Sequence, residues 1–197
     1  MIILIRHGQT TTNALRLLVG HSDAELTELG ERQARALVPY LTDVEEVWVS
    51  PLQRARTTAA LALPHLEPIV KESFIEVSYG ALDGQPLSAI SAEQWRAYEH
   101  DHNVALGGGE SFASVDQRVH AELDVLLASE ESLLHSGQRH LAIVSHVSPI
   151  KSAAVWALGV PGSVAWRTRL DNGSMTMIAS RGSTPTLVRF NMVPALV

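Results

Sequence analysis

The chain has 197 residues, of which 46% are hydrophobic and 18% are charged, and its formal net charge at pH 7 is −6. It contains no cysteine, which excludes disulfide bonds and thiolate chemistry, and no apolar run approaches the roughly eighteen residues of a membrane-spanning helix. The acidic balance argues against nonspecific nucleic-acid binding, and without a signal-peptide pattern in the first residues we expect a globular cytoplasmic protein that does not bind membranes.

The first predicted element is a strand, Ile2–Ile5, that runs directly into Arg6 and His7. Its unbroken apolar run is rich in β-branched residues, which is typical of a strand buried on both faces of a parallel sheet. Gly8 then lets the backbone turn without steric penalty. Because ligands bind at the carboxyl ends of strands in open α/β sheets, a guanidinium and an imidazole at this position indicate an anion site.

Hydrophobic periodicity and turn residues predict alternating helices and strands along the rest of the chain. The first half contains a loop over 15–26, a helix capped by Thr27 with Ala34, Leu37, Val38 and Leu41 on its apolar face, a strand over Val44–Val49, a helix over Leu52–Ala60 and a short strand over 68–71. The second half contains a loop over 74–86, a helix over 92–100, a glycine hinge over 107–109, a long helix after Ser111, a strand over 141–145, a helix from Pro149 to Leu158, and closing strands over 165–170, 174–179 and 186–190. A hairpin turn at Asn172-Gly173 is predicted between the first two closing strands.

This order of elements predicts an α/β fold. Alternating strands and helices that end in a run of strands indicate a three-layer α/β/α sandwich, with a mostly parallel sheet and an antiparallel edge. The chain has no linker, repeat or low-complexity segment, so we expect one domain over residues 1–197. The apolar tail Val193 to Val197 is a candidate contact surface for a homodimer.

Four residues with phosphate chemistry are predicted to meet at one edge of this sheet. Two buried strands end in a histidine, at His7 and at His146, and two arginines, Arg6 and Arg54, are predicted near strand ends. Two permanent positive charges beside two imidazoles suit a phosphoryl group, whose transfer depends on positioning and charge neutralisation. One imidazole could attack phosphorus, and a carboxylic acid would then protonate the leaving alkoxide. Spacing alone leaves open which acid this is, and Glu76 is one of several candidates.

Several sequence blocks occur together in a fixed order. They are Arg6-His7-Gly8-Gln9-Thr10 with Asn13, Leu26-Thr27-Glu28-Leu29-Gly30 with Gln33-Ala34, Ser50 to Ala59, Glu76 with Tyr79-Gly80 and Asp83-Gly84, Gly109-Glu110-Ser111-Phe112, and Val144-Ser145-His146. This ordered set resembles the histidine phosphatase superfamily, the phosphoglycerate mutase-like fold, over nearly the whole chain. An isolated Arg-His-Gly would be weak support, whereas the ordered set is specific.

The resemblance implies a role for each matching residue. The implied nucleophile is His7, which becomes phosphorylated, and the implied general acid and base is Glu76. The implied phosphate-binding residues are Arg6, Asn13, Gly20, Arg54, His146 and the backbone N–H of Val147. His21 is expected to contact the distal part of the substrate. Neither a metal nor another cofactor is implied, because arginines and histidines supply the positive charge.

We therefore expect a histidine acid-type phosphatase that hydrolyses a small phosphorylated metabolite through a phosphohistidine intermediate. The segment between Glu76 and Gly109 lacks the longer insertion of mutases in this superfamily, which favours water as the phosphoryl acceptor. Three alternatives stay open: a cofactor-dependent phosphoglycerate mutase, a weakly catalytic protein that binds a phosphorylated ligand or acts on a phosphoprotein, and a metallohydrolase. The identity of the substrate does not follow from the sequence.

Overall fold

The structure is a computed structural model that describes residues 1–135, 140–181 and 184–196. The strands of this part of the chain are β1 (Ile2–Arg6), β2 (Val44–Val49), β3 (Ile69–Val70), β4 (His140–Ser145), β5 (Met175–Arg181) and β6 (Thr184–Met192). The helices are α1 (Thr11–Ala14), α2 (Glu28–Ala36), α3 (Gln53–Ala62), α4 (Ala92–His100), α5 (Phe112–His135) and α6 (Val147–Leu158). None of the described helices is both long enough and apolar enough to cross a lipid bilayer.

All of these strands belong to one sheet, whose order is β3-β2-β4-β1-β5-β6. Strands β3, β2, β4 and β1 run parallel to one another, β5 pairs antiparallel with β1, and β6 pairs antiparallel with β5. The predicted α/β/α sandwich with a mostly parallel sheet is therefore confirmed. In the centre of the sheet, the register pairs Arg6 of β1 with Ser145 of β4, so these two strands end at the same level.

The sheet is covered by helices on both faces, which explains the unbroken apolar runs of its central strands. Ile2 and Leu4 pack with α5 and α6 residues in one core cluster, whereas Ile3 and Ile5 pack with α3 residues in the other. Each of these four β1 side chains is at most 3% exposed. Because alternate side chains of a strand point to opposite faces, β1 needs apolar residues at every position.

The structure corrects the prediction of a strand over Ala165–Leu170. The chain forms a 3₁₀ helix over Gly162–Arg167 instead, and it buries Ala165 against Phe112 and Val155. The place beside β1 is taken by β5, so a strand at 165–170 would have no partner there. Asn172-Gly173 is consequently a turn that leads into β5 and not a hairpin between two strands.

Two smaller expectations also change. The helix capped by Thr27 ends at Ala36 and is followed by a 3₁₀ turn that contains Pro39, which cannot continue an α-helix. Val38 is therefore 40% exposed, although its neighbour Leu37 is buried as predicted. In the apolar tail, Val193 and Leu196 are half exposed, and Val197 lies outside the described residues.

Candidate active site

Three neighbouring parallel strands end together and place the histidines side by side. The His7 N–H donates to Ser145 O at 3.0 Å, and the Ser50 N–H donates to Val144 O at 3.0 Å. These backbone bonds extend the sheet just beyond β1 and β2 and bring both segments to the end of β4. The centroids of the His7 and His146 rings lie 5.1 Å apart as a result.

His7 is buried with one ring nitrogen occupied and the other available. Its Nδ1 lies 2.8 Å from Gly8 O, and because a carbonyl oxygen can only accept, Nδ1 carries the proton. The Nε2 atom therefore keeps its lone pair. Burial, together with the charges of Arg6 and Arg54, holds the pKa of His7 well below its usual value, although the bond to Gly8 opposes this effect. The ring is thus a neutral imidazole with an unprotonated Nε2.

His146 links Arg54 to Ser50. Arg54 Nε donates to His146 Nδ1 at 3.2 Å, so the proton of this ring resides on Nε2, which lies 2.7 Å from Ser50 Oγ and donates to it. The ring is fully buried, and burial and the Arg54 charge lower its pKa well below the usual value. Both ring nitrogens are therefore engaged within the protein. In this conformation His146 contacts Arg54 and Ser50 and is not part of the cavity lining, although the sequence predicts it as a phosphate-binding residue.

Two guanidinium groups, that of buried Arg54 and that of half-buried Arg6, supply positive charge. Arg54, in the first turn of α3, is 1% exposed, and its Nη2 and Nη1 atoms donate to Gly20 O at 2.6 Å and to Ser22 O at 2.9 Å. Arg6 Nη1 donates to Leu170 O at 2.6 Å, while its buried Nε has no protein acceptor. Burial lowers the pKa of Arg6 to about 10, so this side chain remains charged at neutral pH. Both groups retain unused N–H donors for an anion.

Glu76 is 5% exposed, and its carboxylate lies against the N-terminus of α6. Its Oε1 accepts from the N–H groups of Val77 at 2.8 Å and Ser148 at 3.1 Å, and its Oε2 accepts from Val147 N–H at 3.1 Å. Because the N-terminus of a helix attracts negative charge, these donors fix the carboxylate beside the cavity. Arg118 holds the same segment by donating to Ser73 O at 2.7 Å.

The glycines at 107–109 pack against this acid-bearing segment. A side-chain Cβ at Gly107 would collide with Tyr79 O, and one at Gly109 would collide with Ser78 O. Gly107 also has a positive φ of 60°, which favours glycine. The predicted glycine hinge is therefore a close-packed turn whose small residues let it approach the loop that carries Glu76.

These residues surround a cavity of about 380 Å³. Its lining includes the predicted site residues Arg6, His7, Asn13, Arg54, Glu76 and Val147. Gly20 and His21 are not part of the lining. Gly20 supports Arg54 through its carbonyl, and the His21 ring contacts Glu76 O at 2.8 Å. Gly20 therefore lies behind the cavity wall, and His21 is exposed to solvent outside this cavity.

The structure adds lining residues that sequence reasoning missed. Asn172 Nδ2 donates to His7 O at 3.2 Å and to Asn13 Oδ1 at 3.1 Å, which leaves the Asn13 Nδ2 donor to face the cavity. The wall also includes Lys151 and Trp166, and the Lys151 ammonium lies 5.7 Å from the centre of the Trp166 indole ring. The sequence pattern places Asn172 in a turn and Lys151 in a mostly apolar helix. Neither pattern indicates a residue that lines a phosphate site.

The arrangement suits phosphoryl transfer by side chains. A neutral imidazole lone pair, two cationic donor groups and one carboxylate share a single cavity, which can position a phosphate group and neutralise its charge. Among the described residues, no group of three or more His, Asp or Glu side chains is placed to hold a metal ion.

Comparison with known sequences identifies related proteins over nearly the whole chain. The sequence profile of the histidine phosphatase superfamily (branch 1) matches residues 2–193. Phosphoserine phosphatase 1 of Hydrogenobacter thermophilus is 29% identical over 199 residues, covering 97% of this chain and 92% of that protein. A probable phosphoglycerate mutase of Erwinia tasmaniensis is 32% identical over 185 residues, covering 90% and 83%. A bifunctional protein of Mycobacterium tuberculosis is 32% identical over 184 residues, covering 89% of this chain but 49% of that protein, so the chain spans about half of this relative's length.

Solved structures with the same fold include two phosphatases. The α-ribazole phosphatase of Shigella flexneri superposes with a TM-score of 0.80 at 30% identity, covering 96% of this chain and 95% of that chain. The phosphoserine phosphatase of Entamoeba histolytica, solved with phosphoserine as a mutant, superposes with a TM-score of 0.85 at 26% identity over the same shares of the two chains.

Proposed function

Because the chain belongs to the histidine phosphatase superfamily, we propose that it hydrolyses phosphomonoesters of small metabolites through a phosphohistidine on His7. The observation that carries this proposal is the hydrogen bond from His7 Nδ1–H to Gly8 O, which leaves the Nε2 lone pair at a cavity lined by Arg6 and Arg54. The low pKa of His7 keeps this lone pair available under acidic conditions, which supports the acid-phosphatase type.

In the first step, His7 Nε2 attacks phosphorus. A bond between nitrogen and phosphorus forms, and the bond between phosphorus and the ester oxygen breaks. Arg54 has five N–H donors, and three of them bind His146, Ser22 and Gly20, so one remains on each Nη atom for the phosphoryl oxygens. Together with the donors of Arg6, they neutralise charge in the transition state, which is the main requirement of phosphoryl transfer.

The leaving alkoxide receives its proton from Glu76. Glu76 acts in this step in its protonated form, with its oxygen atoms held beside the cavity by the N-terminus of α6. After the alcohol leaves, the same carboxylate accepts a proton from water, which attacks the phosphohistidine. The bond between nitrogen and phosphorus then breaks, and inorganic phosphate and neutral His7 are regenerated.

A mutase is the second candidate, because one relative is named a probable phosphoglycerate mutase. In that reaction the phosphoryl group on His7 would return to another hydroxyl group of the substrate. The two functions differ in the fate of 3-phosphoglycerate. A phosphatase releases inorganic phosphate from it, whereas a mutase converts it to 2-phosphoglycerate without net release.

The proposal is tested with a panel of phosphate esters that includes p-nitrophenyl phosphate, phosphoserine, α-ribazole phosphate, sugar phosphates and 3-phosphoglycerate. We expect release of inorganic phosphate by the wild-type chain, unchanged by a chelator, and no release by His7→Asn. As a matched control, His65→Gln removes an exposed histidine and should keep wild-type turnover. Equal turnover by wild type and His7→Asn would contradict the proposed nucleophile.

A further inference from the structure

The carboxylate of Asp83 anchors a short loop formed by Gly20, His21 and Ser22, the 20–22 loop. Its Oδ1 accepts from Gly20 N–H at 2.8 Å and from Ser22 Oγ at 3.1 Å. Its Oδ2 accepts from Ser22 N–H at 2.8 Å and from His21 N–H at 3.1 Å. A half-buried carboxylate thus binds every backbone N–H of this loop and one hydroxyl group.

The opposite side of the same loop holds the catalytic cation. The carbonyl oxygens of Gly20 and Ser22 accept the Nη2–H and Nη1–H donors of Arg54 at 2.6 Å and 2.9 Å. The Gly20 carbonyl lies in the same planar peptide unit as the His21 N–H, so the bond from this N–H to Asp83 fixes the carbonyl direction. The Ser22 carbonyl is placed less directly, because Asp83 holds the N–H and the hydroxyl group of the same residue. Fixing the loop at Asp83 therefore restricts the position of the acceptors that aim the guanidinium.

The 20–22 loop also has little room to move. A Cβ on Gly20 would lie 2.7 Å from Val77 O, so the loop packs directly on the segment that follows Glu76. His21 contacts Glu76 O at 2.8 Å from the same loop. A shift of the loop would consequently disturb the cation and the acid together.

The electrostatics of Asp83 agree with this geometry. Burial alone would raise the pKa of Asp83, but the donors from Gly20, Ser22 and His21 outweigh it and lower the pKa below the usual value. Asp83 also lies close enough to Arg54 for its charge to raise the pKa of the guanidinium, which partly opposes the lowering by burial. The carboxylate is therefore charged at neutral pH and favours the cationic form of Arg54.

We propose that Asp83 is a positioning residue, which aims Arg54 at the phosphoryl group through the carbonyl groups of the 20–22 loop. The proposal rests on the proposed role of Arg54 in binding phosphate. Asp83 does not contact the substrate in this proposal. Its carboxylate binds the 20–22 loop by hydrogen bonds, and the loop in turn binds the Arg54 guanidinium by hydrogen bonds.

The test is Asp83→Asn, which turns one acceptor oxygen into an NH₂ group that faces backbone N–H donors. The first readout needs no ligand and is the hydrogen-exchange rate of Arg54 Nε–H, measured by NMR. We expect it to rise by about tenfold or more, because the bond to His146 loses its support. Asp43→Asn, a matched change at an exposed aspartate, should leave this rate unchanged.

The second readout is the affinity for inorganic phosphate, measured by titration calorimetry. We expect Asp83→Asn to weaken it by about tenfold in the wild-type background and by less than about twofold in an Arg54→Lys background, because coupled residues are not additive. Ser22→Ala removes one of the four donors to Asp83 and should give a smaller loss in the same direction, which keeps the test valid if Asp83→Asn folds poorly.

The outcomes separate the two proposals. Unchanged Arg54 Nε–H exchange in both Asp83→Asn and Ser22→Ala would overturn the positioning role. An equal loss of phosphate affinity in the two Arg54 backgrounds would also overturn it, because Asp83 would then act without Arg54. Faster exchange in a protein whose wild-type form binds no phosphate would keep the positioning role and contradict the proposed function.

Discussion

Mild acidification should destabilise this fold in a way that depends on His7 and His146. These imidazoles are 4% and 0% exposed, and burial and neighbouring arginines keep the pKa of each well below 6.5 in the folded state. In the unfolded chain each regains a pKa of about 6.5. Below that pH the unfolded state binds protons that the folded state does not, so the free energy of unfolding falls.

The magnitude follows from proton linkage. At about pH 5.5, one pH unit below the unfolded pKa, each histidine that stays neutral in the fold reduces stability by between about 1 and 2 kcal/mol. His7 and His146 together account for about 3 kcal/mol relative to pH 8. The fold has this stability well above pH 6.5, where both imidazoles are neutral in the folded and the unfolded chain. It loses the stability as the pH falls from 6.5 toward the lower pKa values of the folded state.

The assay is urea denaturation of wild type and His7→Asn at about pH 8 and about pH 5.5. Asparagine is neutral at both pH values, and its side-chain N–H donor can replace His7 Nδ1–H at Gly8 O. The variant should therefore lose between about 1 and 2 kcal/mol less than wild type on acidification, whereas His65→Gln, at an exposed position, should follow wild type. Identical losses for wild type and His7→Asn would refute the buried neutral state of His7.

Three further predictions concern single side chains. His7→Ala should lower kcat by at least about a thousandfold in steady-state assays while the circular dichroism spectrum stays native, and substantial residual turnover would exclude His7 as the nucleophile. Glu76→Gln should slow esters of poorly leaving alcohols more than p-nitrophenyl phosphate, and equal slowing in a leaving-group series would argue against its acid role. Ser50→Ala should lower the unfolding free energy by about 1–3 kcal/mol, because it leaves the buried His146 Nε2–H without an acceptor, and an unchanged urea midpoint would contradict the hydrogen bond between Ser50 and His146.

The proximity of His7 and His146 could be predicted from the sequence because it depends only on two buried strands that run parallel. Ile2–Ile5 and the strand before His146 each form an unbroken apolar run, which indicates two buried parallel strands. Parallel strands end on the same edge of a sheet, so residues that follow them approach each other wherever the strands are close neighbours. The structure pairs these two strands directly, with Arg6 opposite Ser145.

The supporting residues were harder to predict because their partners are distant in sequence. Ser50 directly follows the parallel strand β2, just as His7 follows β1 and His146 follows β4. This position at a strand end is the signal that could have identified Ser50 as a residue of the site. Asp83 and the 20–22 loop are joined by hydrogen bonds across more than 60 residues, and no periodicity marks such a pairing. A short loop has no regular conformation from which its carbonyl directions follow.

The wrong strand at 165–170 has a comparable origin. Its alternating residues fit a strand as well as an irregular segment, and local pattern cannot tell which edge of the sheet is already occupied. β5 fills the position beside β1, and Ala165 is buried in a 3₁₀ helix that packs on Phe112. Which of the two segments lies beside β1 therefore depends on tertiary packing and not on the local sequence pattern.

The covalent intermediate on His7 is tested most directly by rapid quenching in alkali during turnover of a radiolabelled phosphate ester, followed by peptide mapping. We expect label that is stable to base, labile to acid and located on the peptide that contains His7, and no label on His7→Asn. Steady phosphate release without any labelled wild-type protein, or label on an acid-stable residue, would contradict this intermediate.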